Sequence, residues 1–303
     1  MKITTQQKQT KKFFDEFSKG WSRNAKSNYK DFVNIVKIRN SYCESQAKKH
    51  LKKNKKILDV GCGSGDLVIS FLQKKYDAYG LDFANGMISK ARTHAKKLNM
   101  DTDRFILSSF FEFHSKDTFD MITANGVIEY VSTDELDKFI KKSKSILKKN
   151  GIFVLESRNR LFNAISFNNY TLDEIKIKEI NHLLEECIVF NKTKSINSLI
   201  NSKFKSKIKK NLKKHDLTIT KYAKIKVDTR NQYTPFELFS ILRKNGFKIL
   251  DVSPVHIHAL TTGAKEKRGD IHTKLAYFLE KQEEIKLNLI PQCSSYMIAC
   301  KKK

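Results

Sequence analysis

Nowhere in its 303 residues does the chain gather the about 18 consecutive apolar residues of a bilayer-spanning helix, so no membrane span is expected. The opening run, Met1-Lys2-Ile3-Thr4-Thr5-Gln6-Gln7, lacks the apolar core of a secretory signal. Cysteines are few and odd in number: Cys43, Cys62, Cys187, Cys293 and Cys300 show neither close pairing nor metal-site spacing. They read as reduced thiols of a cytoplasmic protein. Arginine is scarce as well, with 9 residues against 50 lysines in a chain of net charge +27. The planar guanidinium fork is the usual reader of phosphates and bases. Lysine in excess, with much Ile, Asn and Phe, reads as a compositional bias that fills solvated faces; a working anionic partner is the competing reading. The length suffices to bury a full core as one domain with insertions, or one and a half domains.

What is present centres on Ile57-Leu58-Asp59-Val60-Gly61-Cys62-Gly63-Ser64-Gly65-Asp66-Leu67. An apolar run carrying an acid feeds a turn with glycine at alternate positions, and a helical apolar pattern follows. Glycines there would let the backbone pass close beneath a ligand. Free N–H groups at the start of the helix would favour a negatively charged ligand group. The spacing Gly-x-Gly-x-Gly is not the Gly-x-Gly-x-x-Gly of a pyrophosphate cradle. Asp59 just before the glycines suits an ammonium rather than phosphates. S-adenosylmethionine (SAM) carries that ammonium beside a carboxylate that the helix start can hold.

This run resembles motif I of the class I SAM-dependent methyltransferases, and later segments follow in that family's order. Ala78-Tyr79-Gly80-Leu81-Asp82 ends in an acid placed to grip ribose hydroxyls. Phe105–Ser109, Phe119–Tyr130 and Leu147–Glu156 look like the third, fourth and fifth strands with their following loops. The resemblance is clear over 51–157 and 233–253 and weak between. It implies an α/β fold: a Rossmann-like seven-stranded sheet with helices on both faces, an N-terminal helical cover and cap insertions. The expected divisions are the cover at 1–50, the SAM-binding core at 51–157, a cap insertion at 158–232, and the rest of the core at 233–303 with a second insertion at 254–293. The resemblance also implies SAM contacts from Asp59, Gly61, Cys62, Gly63, Gly65, Asp82, Phe83, Met87, Ser109 and Asn125. In the ubiquinone-biosynthesis O-methyltransferases a tryptophan-bearing segment precedes an arginine that contacts the SAM carboxylate. Trp21 and Arg39 hold similar places here, and a surface arginine at a helix end is the alternative for Arg39.

Along the chain, Phe13, Phe14 and Phe17, then Phe32, Val33, Val36 and Ile38, are spaced for buried helix faces. Asn168–Thr171 predicts a turn and helix cap, leading into one amphipathic helix through Ile175, Ile180, Leu183 and Leu184. The lysine-dense stretch 203–214, with Phe204, Ile208 and Leu212 in line, predicts a basic helix that could touch an anionic membrane or substrate, or simply face water. Thr234-Pro235-Phe236-Glu237 starts a helix, with threonine as N-cap and proline at the first helical position. Asn150-Gly151 predicts a helix stop before strand five, Phe247–Val252 the sixth strand, and Ser294–Ala299 a last, antiparallel strand.

Methyl transfer from a sulfonium is an in-line displacement that needs chiefly alignment of the nucleophile. A hydroxyl nucleophile also needs a base or a metal. Where the ubiquinone-type enzymes carry Glu-x-x-Glu-His, this chain reads Gly126-Val127-Ile128-Glu129-Tyr130, so no metal is expected, and Glu129 reads as a capping or hydrogen-bonding residue. His256 and His258 alternate onto one face beyond strand six and, with Tyr130, are the catalytic candidates, one histidine as base. A His-x-His zinc site finds no nearby cysteine or carboxylate to complete it. Nucleic-acid amino-methyltransferases carry an Asn/Asp-Pro-Pro-aromatic run where Ala124-Asn125-Gly126-Val127 stands, and no cysteine lies where RNA cytosine-C5 enzymes need one. The sequence thus points to SAM-dependent methyl transfer to a small or medium acceptor at a hydroxyl oxygen, a quinone-pathway phenol or a sugar of a glycan- or lipid-linked acceptor. No stable nucleic-acid partner is expected. An RNA or protein methyltransferase and a non-catalytic SAM-binding protein are the rivals.

Overall fold

The computed structural model describes residues 4–26, 33–207 and 231–303. Eighteen main elements follow in the order α1 (Thr5–Lys26), α2 (Ile35–His50), β1 (Lys56–Val60), α3 (Asp66–Gln73), β2 (Asp77–Asp82), α4 (Asn85–Lys97), β3 (Phe105–Leu107), β4 (Phe119–Ala124), α5 (Thr133–Ile146), β5 (Leu147–Arg158), α6 (Asn169–Lys176), α7 (Ile180–Lys192), α8 (Ile196–Ile200), α9 (Pro235–Lys244), β6 (Phe247–Ile257), α10 (Thr262–Lys267), α11 (Gly269–Glu280) and β7 (Cys293–Lys302). No helix among the described residues is long and apolar enough to cross a membrane.

The strands form one seven-stranded sheet in the order β3-β2-β1-β4-β5-β7-β6. All neighbours are parallel except β7, which runs antiparallel to both β5 and β6. Strands covered on both faces need apolar residues in both directions, which explains their near-continuous apolar runs. Alternation sends Leu58, Val60, Ile122, Phe153 and Leu155 to the face packed by α5, α7 and α9. Ile57, Met121, Ile152 and Val154 go to the face packed by α2, α3 and α4. The chain order reverses between β1 and β4, and at such a switch point the loops at the carboxyl ends part and leave a crevice.

Local signals set several helix starts. Ser132 with Glu135, Asn168 with Thr171, and Thr234 with Glu237 form reciprocal caps. Four local expectations change. The predicted helix through Ile175–Leu184 is broken into α6 and α7, with Lys178 at φ 60 between them. Asn150-Gly151 does not precede strand five; it lies inside β5 as an irregularity opposite Phe119–Met121, with Asn150 at φ 64. Strand six continues past Val252 to Ile257. The predicted basic helix is not present over 203–207, which is irregular, and Phe204 turns inward onto Phe236 with ring centroids 5.2 Å apart. Ile208 and Leu212, the Phe32 position and the side chain of Trp21 lie outside the described residues.

A buried cation ties the first insertion to the core. Arg160, only 1 % exposed, donates from Nε and Nη2 to the two oxygens of Glu174 at 3.0 and 2.8 Å, and from Nη1 to Glu237 at 3.0 Å. It thus joins β5's exit to α6 and to the first turn of α9. Burial pushes the Glu237 carboxyl up to about 7, against the pull of Arg160. Removing the guanidinium leaves buried carboxylates unpaired, and such truncations cost about 3–5 kcal/mol. Arg160→Leu is therefore expected to lower unfolding free energy by that order in urea titrations at pH 7.5. The deficit should shrink toward pH 5, where Glu237, its folded-state pKa raised above the unfolded value, takes up a proton and no longer needs the cation.

Candidate functional site

The glycine turn after β1 is stitched to the end of β2. Gly61 and Cys62 donate their N–H groups to the Leu81 carbonyl at 2.7 and 3.1 Å, and Gly63 donates to Asp82 Oδ2 at 3.0 Å. Asp82 accepts a further bond from the Ala84 N–H at 2.9 Å. Three turn N–H groups are thus used internally, and Asp66 occupies the first turn of α3. The anion-binding helix start expected from the sequence is correspondingly weakened. Gly61, Gly63 and Gly65 have φ of 72, 52 and 79, a region open mainly to glycine. The close approaches differ from expectation, however. A Cβ on Gly61 would meet Val127 Cγ2 at 2.5 Å, and one on Gly65 would meet Phe105 at 2.6 Å and Ala91 at 3.0 Å. These two glycines make room for protein side chains.

Beside the turn opens a cavity of about 570 Å³. Arg39, Asp59, Gly61, Cys62, Gly63, Asp82, Phe83, Met87, Ser109 and Asn125 all line it. Gly65 does not; it packs behind the turn. Phe14, Phe110, Phe111, Tyr130 and Val131 also line the cavity, as do Glu129 and Arg158. Helix α1 forms part of this wall. Gln6 donates to the Tyr130 carbonyl at 2.9 Å, Gln7 to Glu135 at 2.8 Å, and Phe14 meets the Tyr130 ring edge-on at 5.2 Å.

The cavity's acids are buried. Asp59 accepts from the Thr123 hydroxyl at 2.6 Å, yet burial pushes its carboxyl up to about 7. Burial likewise raises Asp82 to about 6, although the Ala84, Gly63 and Phe83 backbone groups oppose the shift. Glu156, at the end of β5, is raised by burial and drawn back by Arg39, whose Nη2 lies 2.6 Å from Oε1. Arg39 Nε is buried with no hydrogen-bond partner. Arg158 Nε lies 2.6 Å from Glu129 Oε2. Glu129 therefore does not cap the following helix, since Ser132 and Glu135 do so; it is held by β5. Asn125 donates to Cys43 Sγ at 3.4 Å, and Cys62 packs over Gly80, where a Cβ would meet its sulfur at 2.7 Å.

Tyr130 lines the cavity, but His256 and His258 do not. Strand β6 is the sheet edge, with β7 and β5 between it and β4, so its end does not reach the crevice. His256 is itself part of β6, at φ 52. Burial lowers His256 to about 2 and His258 to about 3, far from the near-neutral value expected of a base. The Glu129–Arg158 and Arg39–Glu156 pairs each join residues distant in sequence, and the one local signal is Glu156, an acid near the carboxyl end of β5.

The profile of the methyltransferase domain family matches residues 51–246. Ubiquinone biosynthesis O-methyltransferase of Pelagibacter ubique (strain HTCC1062) is 32% identical over 169 residues, covering 52% of this chain and 68% of that one. The enzyme of the same name from Histophilus somni (strain 2336) is 29% identical, covering 50% and 63%. Carboxy-S-adenosyl-L-methionine synthase of Nautilia profundicola is 30% identical over 129 residues, covering 41% and 54%. Among solved structures, magnesium protoporphyrin IX methyltransferase from Synechocystis PCC 6803 with bound SAH superposes with TM-score 0.53 at 14% identity, covering 97% and 98%. The [4+2]-cyclase SpnF superposes with TM-score 0.55 at 14% identity, covering 99% and 97%. With its glycine turn, its switch-point cavity and a family match over most of its length, the chain belongs to the class I SAM-dependent methyltransferases.

Proposed function

We propose that the chain transfers the methyl group of SAM to a hydroxyl oxygen of a small, flat acceptor, of the kind a quinone-pathway phenol represents. The observation that carries this reading is one continuous cavity lined both by the glycine turn with its buried acids and by the aromatic side chains of Phe14, Phe110, Phe111 and Tyr130. The names of the O-methylating relatives support it. Bound SAM supplies a methyl group on an already activated sulfonium. The chain's own residues bind, orient and exclude water. Asp59, costly to ionise when buried alone, suits the cofactor's ammonium, and Asp82 retains lone pairs for ribose hydroxyls. Arg39, with its unpartnered Nε, suits the carboxylate. Gly61, Cys62 and Gly63 shape the floor; Phe83, Met87, Ser109 and Asn125 complete the wall around the base and sugar.

At the acceptor end, Glu129 is the carboxylate positioned, by Arg158, to accept the hydroxyl proton as the oxygen attacks. Tyr130 and Phe14 hold the acceptor's plane, and alignment supplies the larger share of the rate. A fold shared with a [4+2]-cyclase does not fix the reaction, so turnover must be measured. Radiolabelled SAM incubated with phenolic compounds, and with lipid, glycan, small-molecule, RNA and protein pools of host extract, should label the small-molecule pool. Robust incorporation into RNA or protein instead would overturn the acceptor class; no labelling of any pool despite SAM binding would favour a non-catalytic role. With the labelled acceptor, Glu129→Gln should lower kcat about 100-fold or more while SAM affinity holds. The double variant His256→Gln/His258→Gln should keep the parent rate.

The acids give a pH signature. Below about 7, Asp59 is protonated in the free protein and must release its proton to meet an ammonium. SAM affinity should therefore rise about tenfold per unit as pH increases toward 7 and then level off, Asp82 steepening the rise below about 6. Calorimetry in buffers of different ionisation enthalpy would detect the proton released. Asp59→Asn should flatten the profile near 7; an unchanged slope would remove Asp59 as the ammonium's partner.

A further inference from the structure

Away from the cavity, three imidazoles that are far apart in sequence meet under the second insertion. His256 belongs to β6, His258 follows it, and His272 comes from α11. Ring centroids lie 4.4 Å apart for His256–His258, 5.5 Å for His258–His272 and 6.3 Å for His256–His272. One ring nitrogen from each comes within 4.8 Å of the others. His272 is 2 % exposed, yet neither of its ring nitrogens has a hydrogen-bond partner, and His258 Nε2 is also buried and unpartnered. Leaving such groups unsatisfied is unfavourable, and a buried imidazole normally finds a partner. The His-x-His pattern is local, but its third member stands on a separate helix that only the fold brings near.

The chemistry of the cluster is that of a metal ligand set. His256 Nδ1 lies 2.9 Å from the Ser294 hydroxyl, which fixes the ring and leaves Nε2 as the nitrogen free for a metal. Metal-binding histidines characteristically hold their second nitrogen in this way. The ammonium of Lys265 lies 3.5 Å from His256 Nε2, so a cation is already accommodated at the mouth of the cluster. Zinc–imidazole bonds of about 2.0–2.1 Å would bring the three nitrogens to roughly 3.3 Å from one another, a closure that ring rotation can supply. No carboxylate belongs to the cluster, which disfavours calcium and magnesium, whereas imidazoles suit zinc and its first-row neighbours.

We propose that His256, His258 and His272 bind a divalent transition ion of the zinc class, with water in the fourth position, and that the ion fastens α11 to the edge strand β6. The site is separate from the SAM cavity, which none of the three lines. Lys265, on the short helix α10, swings out when the ion enters and competes with it.

The test uses the full chain, freed of metal with a chelator, titrated with Co²⁺ and then displaced by Zn²⁺ at pH 7.5. One equivalent of Co²⁺ should give the visible absorption of a low-coordinate nitrogen site, and one equivalent of Zn²⁺ should bleach it. His272→Gln and His258→Gln should each weaken binding roughly tenfold or more, while Lys265→Met should tighten it. SAM affinity by calorimetry should match the parent in all three, which also reports that they fold. If His272→Gln does not fold, His258→Gln and Lys265→Met decide the matter. Absence of a stoichiometric cobalt band, or a band that these variants leave unchanged, would overturn the proposal.

Discussion

The Asp82 carboxylate holds the rest of the functional architecture in place. Buried at the end of β2, it draws the Gly63 N–H down with one oxygen and the Ala84 N–H with the other. The turn after β1 and the entry to α4 are thereby fixed to one group. Because β1 and β2 pair in parallel from Lys56–Asp77 to Val60–Leu81, that group sits where the strands stop and the crevice begins. The left-handed backbone at Gly61, Gly63 and Gly65 follows from this tether. Gly61 and Gly65 are further constrained from below by Val127 and Phe105. The turn is thus shaped by the protein on one side and free to meet a ligand on the other.

The same architecture buries acids at a cost. Raising Asp59 from 3.8 to about 7 corresponds to roughly 4 kcal/mol against its ionised form in the free protein. Its folded-state pKa lies above the unfolded value, so this penalty grows as pH rises from about 4 to 7 and is then constant. A cationic group placed beside it recovers part of that energy on binding. Asp59 and Asp82 line the cavity together with the Arg39 guanidinium, so both charge signs face its interior.

The insertions use a different device. Arg160 gathers Glu174 and Glu237 in a dry interior, with Glu179 at 3.7 Å, and fixes α6 and α9 against the exit of β5. Such a hub contributes more to a unique arrangement than to net stability, since apolar packing could replace it. Close by, the imidazole cluster joins α11 to β6, with the Phe162 ring packed on His258 at 4.3 Å between centroids. Both stand where helices outside the sheet meet one of its strands.

Much of the fold could be read locally. The apolar runs of β1 and β4, the Gly-x-Gly-x-Gly turn, the acid ending β2 and the Thr234-Pro235-Phe236-Glu237 cap are patterns within a few residues, and local sterics and capping decide them. Ten of the residues expected around SAM line one cavity; all but Arg39, which comes from α2, end or follow strands whose order the parallel topology dictates. Side-chain partnerships across the chain were not legible. Arg39 with Glu156, Glu129 with Arg158, Thr123 with Asp59, and His272 with the two β6-side histidines are set by which strand ends and helices the sheet order makes neighbours. For the same reason His256 and His258, at the correct edge of the sheet by sequence, stand away from the cavity: β7 inserts between β5 and β6, and that insertion is written in strand pairing rather than in any local run of residues.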